Sequence, residues 1–269
     1  MRNKYPENRI YQAIRSGRPA LGMFNYIPHM SVIEAVGEAD VDFVIIDTEH
    51  AVMDRESVER QIIAAQLNQV TPLVRVPAID APVMRSYLEL GAQGILVPHI
   101  RCGEECRRAQ DALRYPPDGH ASTCRTNRST GFTGVNWVSY LDWVRDASLI
   151  AMIEDPEGVE RLDEILAELK PGRDMILFGK ADYSQALGLI GKSGTVDGSR
   201  VDEAIDTIVK GCKAKGITFM VVPASMKQED IQKAVENGAE CLAIGVDQTV
   251  IYSAYKSCAE AAAACTIGD

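Results

Sequence analysis

Short apolar runs rich in β-branched residues recur along the chain, and amphipathic stretches with apolar positions three and four apart lie between them. The runs cover residues 20–25, 42–47, 71–76, 94–98, 149–154, 175–179, 217–222 and 241–246. Most are continuous, as in Phe43-Val44-Ile45-Ile46, which is the pattern of strands covered on both faces. The segments between them are long enough for crossover helices, so a parallel sheet follows. Helices are expected over residues 31–38, 55–67, 81–90, 104–113, 157–169, 200–214, 227–236 and 249–263, with Gly91, Gly216 and Gly238 stopping three of them. A further helix over residues 8–15 precedes the first strand and is placed to plug a barrel bottom. Eight βα units in about 250 residues fit a closed barrel better than a doubly wound sheet. No GxGxxG follows the first run. The expected fold is therefore α/β, a (β/α)8 TIM barrel with an extra N-terminal helix, in one domain over residues 1–269.

The composition excludes several functions. With 46% hydrophobic and 25% charged residues, the 269-residue chain is that of an ordinary globular protein. Lys and Arg total 28 against 38 Asp and Glu, a net charge of -10, the wrong sign for phosphate backbones or anionic lipid. Neither nucleic acid nor membrane is an expected partner. Seven cysteines, an odd number without a CxxC pair, point to a reducing cytoplasm. Cys102 and Cys106 lie four apart on a helix, but no further Cys or His stands nearby at ligand spacing, so they read as core or surface. The polar start has no apolar signal core, and no run approaches the ~18 residues a membrane span needs.

Barrel enzymes react at the carboxyl ends of their strands, so the ionisable residues where each run stops are the informative ones. The second run ends Asp47-Thr48-Glu49-His50, the third at Arg75, the fifth at Glu154-Asp155, and the sixth Gly179-Lys180-Ala181-Asp182. All face one mouth. Carboxylates with open coordination positions suit Mg²⁺ or Mn²⁺, His50 suits proton transfer near neutral pH, and Arg75 meets negative charge. Together they equip a site for an enolate, which is chemistry α to a carbonyl. Each residue also has a plainer reading. Glu154-Asp155-Pro156-Glu157 looks like a helix start, Asp182 can cap a short helix over 184–187, and Arg75 can simply bridge to a carboxylate. His99 is a second histidine at the mouth; His29 and His120 lie on loops. The long connection 115–137 is either a mobile surface excursion or, through Arg114, Arg125 and Arg128, a place to recognise an anionic substrate.

Asp47-Thr48-Glu49-His50, Val74-Arg75-Val76-Pro77, Tyr115-Pro116-Pro117-Asp118-Gly119, Ile153-Glu154 and Gly179-Lys180-Ala181-Asp182-Tyr183-Ser184 occur in this order. The set resembles the HpcH/HpaI aldolase family, from Gly22 to the closing Ala243-Ile244-Gly245-Val246-Asp247. The resemblance implies a metal-dependent class II aldolase that cleaves 4-hydroxy-2-oxo acids to pyruvate, or a related 2-oxo acid, and an aldehyde. By position, Glu154 and Asp182 would hold the divalent ion, Mg²⁺ or Mn²⁺ with Co²⁺ as a further candidate. Backbone N–H groups near Gly179, Ala181 and Asp182 would orient the substrate carboxylate. Arg75 would stabilise the enolate oxygen, and His50, supported by Asp47 and Glu49, would take the C4 hydroxyl proton. The resemblance also implies a homohexamer, a dimer of trimers that often exchanges its last helix, in which Glu89 reaches the histidine from an adjacent subunit.

Three positions depart from the family pattern. Met152 stands where a glutamine is common, Lys180 where a proline is usual, and His120-Ala121-Ser122 where an arginine and a glycine follow Gly119. They point to a rebuilt aldehyde-side pocket and keep other reactions open. One is condensation or decarboxylation of an oxaloacetate-like acid, as in relatives resembling citrate-forming and cycloadding enzymes. Another is a Schiff base on Lys180. A third, outside catalysis, is a barrel that only binds a ketoacid.

Overall fold

The computed structural model describes residues 6–190 and 198–266. Eight parallel strands close into a barrel in sequence order, each hydrogen-bonded to the next and the eighth to the first. They are β1 (Ala20–Asn25), β2 (Phe43–Asp47), β3 (Thr71–Arg75), β4 (Gly94–Val97), β5 (Ser148–Ile153), β6 (Met175–Phe178), β7 (Thr218–Val221) and β8 (Cys241–Val246). The eight expected strands are all present.

Period-two alternation divides each strand between two cores. Phe43, Ile45, Leu73, Ile150, Met152, Met175 and Leu177 fill the barrel interior. Val44, Ile46, Val74, Ala151, Ile153, Ile176 and Phe178 face the helical layer. Helix α1 (Arg9–Arg15) closes the interior from below, with Ile10 and Ala13 fully buried among the inner residues.

The helices follow local signals. After α2 (Met30–Glu38), Asp54 and Asp80 cap α3 (Arg55–Leu67) and α4 (Ala81–Leu90), accepting from the N–H groups of Ser57 at 2.7 Å and Val83 at 3.0 Å. Gly91 ends α4 at φ 111°, a left-handed turn that glycine adopts without steric cost.

Two expectations need correction. Residues 157–169 form two helices, α7 (Pro156–Glu160) and α8 (Leu162–Glu168), after α5 (Gly103–Leu113) and α6 (Trp137–Val144). The backbone leaves helical values at Arg161, between Gly158, seated against the Ile100 carbonyl, and α8, whose Glu164 backbone touches Gly103 of α5. Helix α6 itself falls where no helix is expected, packing Trp137, Tyr140 and Trp143 with Tyr115 at centroid distances of 5.4–6.2 Å.

Candidate active site

The site is the next inward layer above the apolar filling. Continuing the alternation Phe43, Ile45 gives Asp47; Leu73 gives Arg75; Ile150, Met152 gives Glu154; Met175, Leu177 gives Gly179. The same geometry that packs the interior therefore aims these four positions into the carboxyl end of the barrel.

Asp47 and Arg75 are paired in register on β2 and β3. The Arg75 Nε–H donates to Asp47 Oδ2, Nη1 lies 3.1 Å from Glu49 Oε2, and Nη2 donates to the Tyr26 hydroxyl at 2.9 Å. The guanidinium carbon sits 5.0 Å from the centroid of Phe24. Burial opposes the charge, but Asp47, Tyr26 and Glu49 more than offset it and hold the guanidinium cation above its usual pKa. The other Asp47 oxygen accepts from the N–H groups of Glu49, His50 and Ala51 at 3.1, 2.6 and 3.2 Å. One buried carboxylate thus fixes both the arginine and the turn that carries His50. The His50 imidazole is about half exposed, with Nε2 at 3.7 Å from Glu49.

The opposite wall carries Glu154, whose side chain is 2% exposed. Its Oε1 accepts from the His99 N–H at 3.0 Å. Its Oε2 lies over Gly179, where a Cβ would approach to 2.6 Å, so the absent side chain makes room for the carboxylate. Met152 crowds the same point, at 2.7 Å, and forms the floor. His99 occupies left-handed backbone at φ 53°, and its Nδ1 lies 3.0 Å from Asp155 and 3.6 Å from Glu154. Burial disfavours the imidazolium, yet Asp155, Glu154 and Glu49 raise its pKa overall.

Glu154 is pushed up to about 7 by burial, with the negative charges of Asp182 and Glu49 adding to it and His99 opposing. Among the described residues no group of three or more His, Cys, Asp and Glu forms a metal cage. The oxygen donors available are Glu154, buried, and Asp182, exposed on the helix that follows Gly179 and acting on Glu154 by its negative charge. That set fits a hard divalent ion that keeps water or substrate oxygens in its remaining positions.

The bridge expected of Arg75 is present, to Asp47 and Glu49, whereas the capping readings of Glu154 and Asp155 are not met. Glu154 caps nothing, since its carboxylate turns to His99, and Asp155 pairs with His99 without a side-chain bond to α7. Helix α9 (Lys180–Ala186) starts earlier than expected, at the Gly179 cap, leaving Asp182 exposed in its first turn with Ala181. Lys180 is exposed there too.

Glu89 and Arg125 lie away from this cluster. Glu89, on α4, is paired loosely with Arg85 at 3.9 Å and has a buried Oε1 without a hydrogen bond. Arg125 is exposed on the long connection, donating to the Gly134 carbonyl at 3.4 Å. The other two arginines of that connection are structural. Arg128 donates to Gln66 and to the Leu90 carbonyl at 2.9 and 2.7 Å, and buried Arg114 lies 3.6 Å from Asp174.

Sequence reasoning missed Tyr26, one residue past β1, and the work of Asp247 in accepting from the Tyr26 and Ile27 N–H groups at 3.1 and 2.9 Å. A tyrosine and an aspartate immediately beyond apolar runs were the available signals.

The family model for HpcH/HpaI aldolase/citrate lyase matches residues 20–254, the whole barrel. The chain belongs to this family. Among its HpcH/HpaI relatives, the hydroxypyruvate/pyruvate aldolase of Deinococcus radiodurans is 32% identical over 257 residues, covering 94% of this chain and 88% of the relative. The crystal structure of the citrate synthase SbnG superposes with a TM-score of 0.81 at 30% identity, covering 95% of this chain and 98% of the other. Macrophomate synthase gives 0.80 at 26% identity, covering 98% and 93%. The proteins this chain resembles thus bear the names of an aldolase and of two synthases.

Proposed function

We propose that the protein is a class II aldolase, reversibly cleaving a 4-hydroxy-2-oxo acid to pyruvate, or a related 2-oxo acid, and an aldehyde. One observation carries this reading. A buried guanidinium and a buried carboxylate, Arg75 and Glu154, stand at one mouth with Glu49 between them, paired with Arg75 at 3.1 Å and acting by charge on Glu154. Arg75 donates one N–H each to Asp47 and Tyr26 and is ion-paired with Glu49, leaving at least two of its five N–H groups for substrate.

Glu154 and Asp182 are the residues to hold Mg²⁺ or Mn²⁺, with Co²⁺ as a further candidate, and such an ion when bound supplies Lewis-acid charge to a 2-oxo acid. The N–H groups of Ala181 and Asp182, in the first turn of α9 and without intrahelical acceptors, orient the substrate carboxylate against the Gly179 backbone. Arg75 donates to the 2-oxo oxygen as it gains negative charge. His50, held by Asp47 through its backbone, takes the C4 hydroxyl proton while the C3–C4 electron pair moves into the enolate and the aldehyde leaves. Protonation at C3 then completes the 2-oxo acid. Arg125, exposed on the long connection, is the candidate for an anionic group on the electrophile. The same reading makes the working unit a cytoplasmic homohexamer in which Glu89 reaches His50 of a neighbouring copy.

Treatment with EDTA is expected to abolish cleavage and Mg²⁺ or Mn²⁺ to restore it, while borohydride with pyruvate leaves the protein mass unchanged. EDTA-resistant activity together with a trapped adduct would replace this reading by an imine on Lys180, although that amine is exposed rather than desolvated. A second reading is favoured by Met152 at the floor and by the 30% identity to SbnG: condensation or decarboxylation of an oxaloacetate-like acid. Product masses after incubation with Mg²⁺ and oxaloacetate, with and without acetyl-CoA or aldehydes, separate the two.

A further inference from the structure

Tyr26 stands at the mouth with a hydroxyl that the proposed reaction has not used. Its hydroxyl accepts from Arg75 Nη2 at 2.9 Å, and a guanidinium accepts nothing in return, so the phenolic proton points elsewhere. Among the described residues it meets no acceptor. The residue is half-buried, and burial raises its pKa, keeping the proton in place near neutral pH. Its backbone is clamped: the Tyr26 N–H shares both oxygens of Asp247 at 3.1 Å, and the Ile27 N–H donates to the same carboxylate at 2.9 Å. Asp247 is itself 2% exposed at the end of β8, so three strands, β8, β1 and β3, fix the distance between phenol and guanidinium.

We propose that the Tyr26 hydroxyl and Arg75 act as a two-donor cradle for the substrate oxygen that becomes negatively charged when the enolate forms. The proposal rests on the aldolase reading above and adds a catalytic residue to it. Two donors held 2.9 Å apart can meet one oxygen, and donors fixed in advance where charge develops stabilise the transition state without reorganising. Phe24 holds the guanidinium against its ring at 5.0 Å, which keeps the pair from turning away.

The enolisation half-reaction tests this without an aldehyde. Exchange of pyruvate methyl protons for deuterium, followed by NMR in D2O with Mg²⁺, reads formation of the enolate directly. In Tyr26→Phe, which keeps the ring and its packing, exchange and the kcat of cleavage are expected to fall together by about 100-fold, the loss typical of one oxyanion donor. KM for pyruvate changes little, while oxalate, a planar dianion resembling the enolate, loses more affinity than pyruvate does. Slower cleavage with unchanged exchange would put the hydroxyl on the aldehyde and overturn the proposal, as would a variant unchanged in both. Wild-type protein that exchanges the C3 protons of neither pyruvate nor hydroxypyruvate would overturn the aldolase reading and this proposal with it, a result visible before any variant is made.

Discussion

The two walls of the barrel mouth are built on opposite electrostatic plans. On the β2–β3 wall every buried charge has its counter-charge: Arg75 is bonded to Asp47, paired with Glu49 and bonded to Tyr26. On the β5–β6 wall the buried carboxylate of Glu154 has one backbone donor, only the half-exposed His99 imidazole at 3.6 Å to oppose its charge, and the like charges of Asp182 and Glu49 nearby. The partners of Arg75 on the first wall all come from within the chain. The second wall carries a charge excess that a cation would relieve. The contrast separates the two jobs of an enolate-forming site, a rigid donor that exists before substrate arrives and an acidic cradle that becomes stable only when loaded.

Removing the arginine breaks the comparison most severely. Arg75→Met leaves Asp47 buried without a cation, and breaking a buried pair in this way costs roughly 3–5 kcal/mol. The three N–H groups that Asp47 keeps, from Glu49, His50 and Ala51, place the expected loss near the lower end, about 3 kcal/mol by urea unfolding. Activity should fall at least ~1000-fold, the upper range for one oxyanion donor, since the turn bearing His50 is disturbed too. Unchanged stability would mean the first wall is not the rigid one.

The matching change on the second wall has the opposite sign. Glu154→Gln removes ion binding and activity, yet the EDTA-treated variant should be at least as stable as the parent at pH 8. The carboxyl is raised from 4.5 to about 7, so it binds its proton more tightly folded than unfolded. Its contribution to metal-free stability is complete below the unfolded value and is lost as pH rises through about 7. The stability gap between variant and parent should therefore close as pH falls toward 5, and Mg²⁺ should restore the parent at pH 8. A parent whose metal-free stability is flat from pH 5 to 8 would contradict the charge excess.

The barrel was legible because its interior is written in period two, and the first wall because Asp47 and Arg75 are the ionisable residues at which two apolar runs stop. The bond from Asp47 to the His50 N–H was not legible, since it depends on the turn after β2 and not on any spacing of types. Tyr26 escaped for a related reason. The first run ends in Asn25, which carries no charge, and the phenol gains meaning only when β3 brings Arg75 beside it. Helix α6 was readable in Trp137, Tyr140, Leu141 and Val144, at helical spacing, but indole, phenol and valine are indifferent helix formers and the eight residues follow a long irregular stretch. The break at Arg161 left no trace in the pattern, because the apolar positions of α7 and α8 keep a common phase. Glu89 and Arg125 illustrate the reverse case, residues assigned to the site, one by family position and the other by its charge on the long connection, that lie outside its geometry within one chain.

The smallest expected effect concerns the hinge between the walls, His99. Its left-handed backbone at φ 53° directs the N–H at Glu154 Oε1, and either the backbone or the imidazole is what the site needs. His99→Gly keeps the N–H and relieves backbone strain of roughly 1–2 kcal/mol. It loses the half-exposed contact with Asp155, worth about 0–1 kcal/mol, so the net change should be near zero or slightly stabilising. His99→Val cannot adopt that backbone without cost and should destabilise by about 1–3 kcal/mol. If the N–H is the working group, Mg²⁺ affinity survives within about threefold in the glycine variant and falls in the valine variant, where the strained turn relaxes and the donor leaves Glu154. Calorimetric titration of both decides the matter: weaker binding in glycine than in valine would transfer the role from the main chain to the imidazole, whose Nδ1 lies 3.6 Å from Glu154.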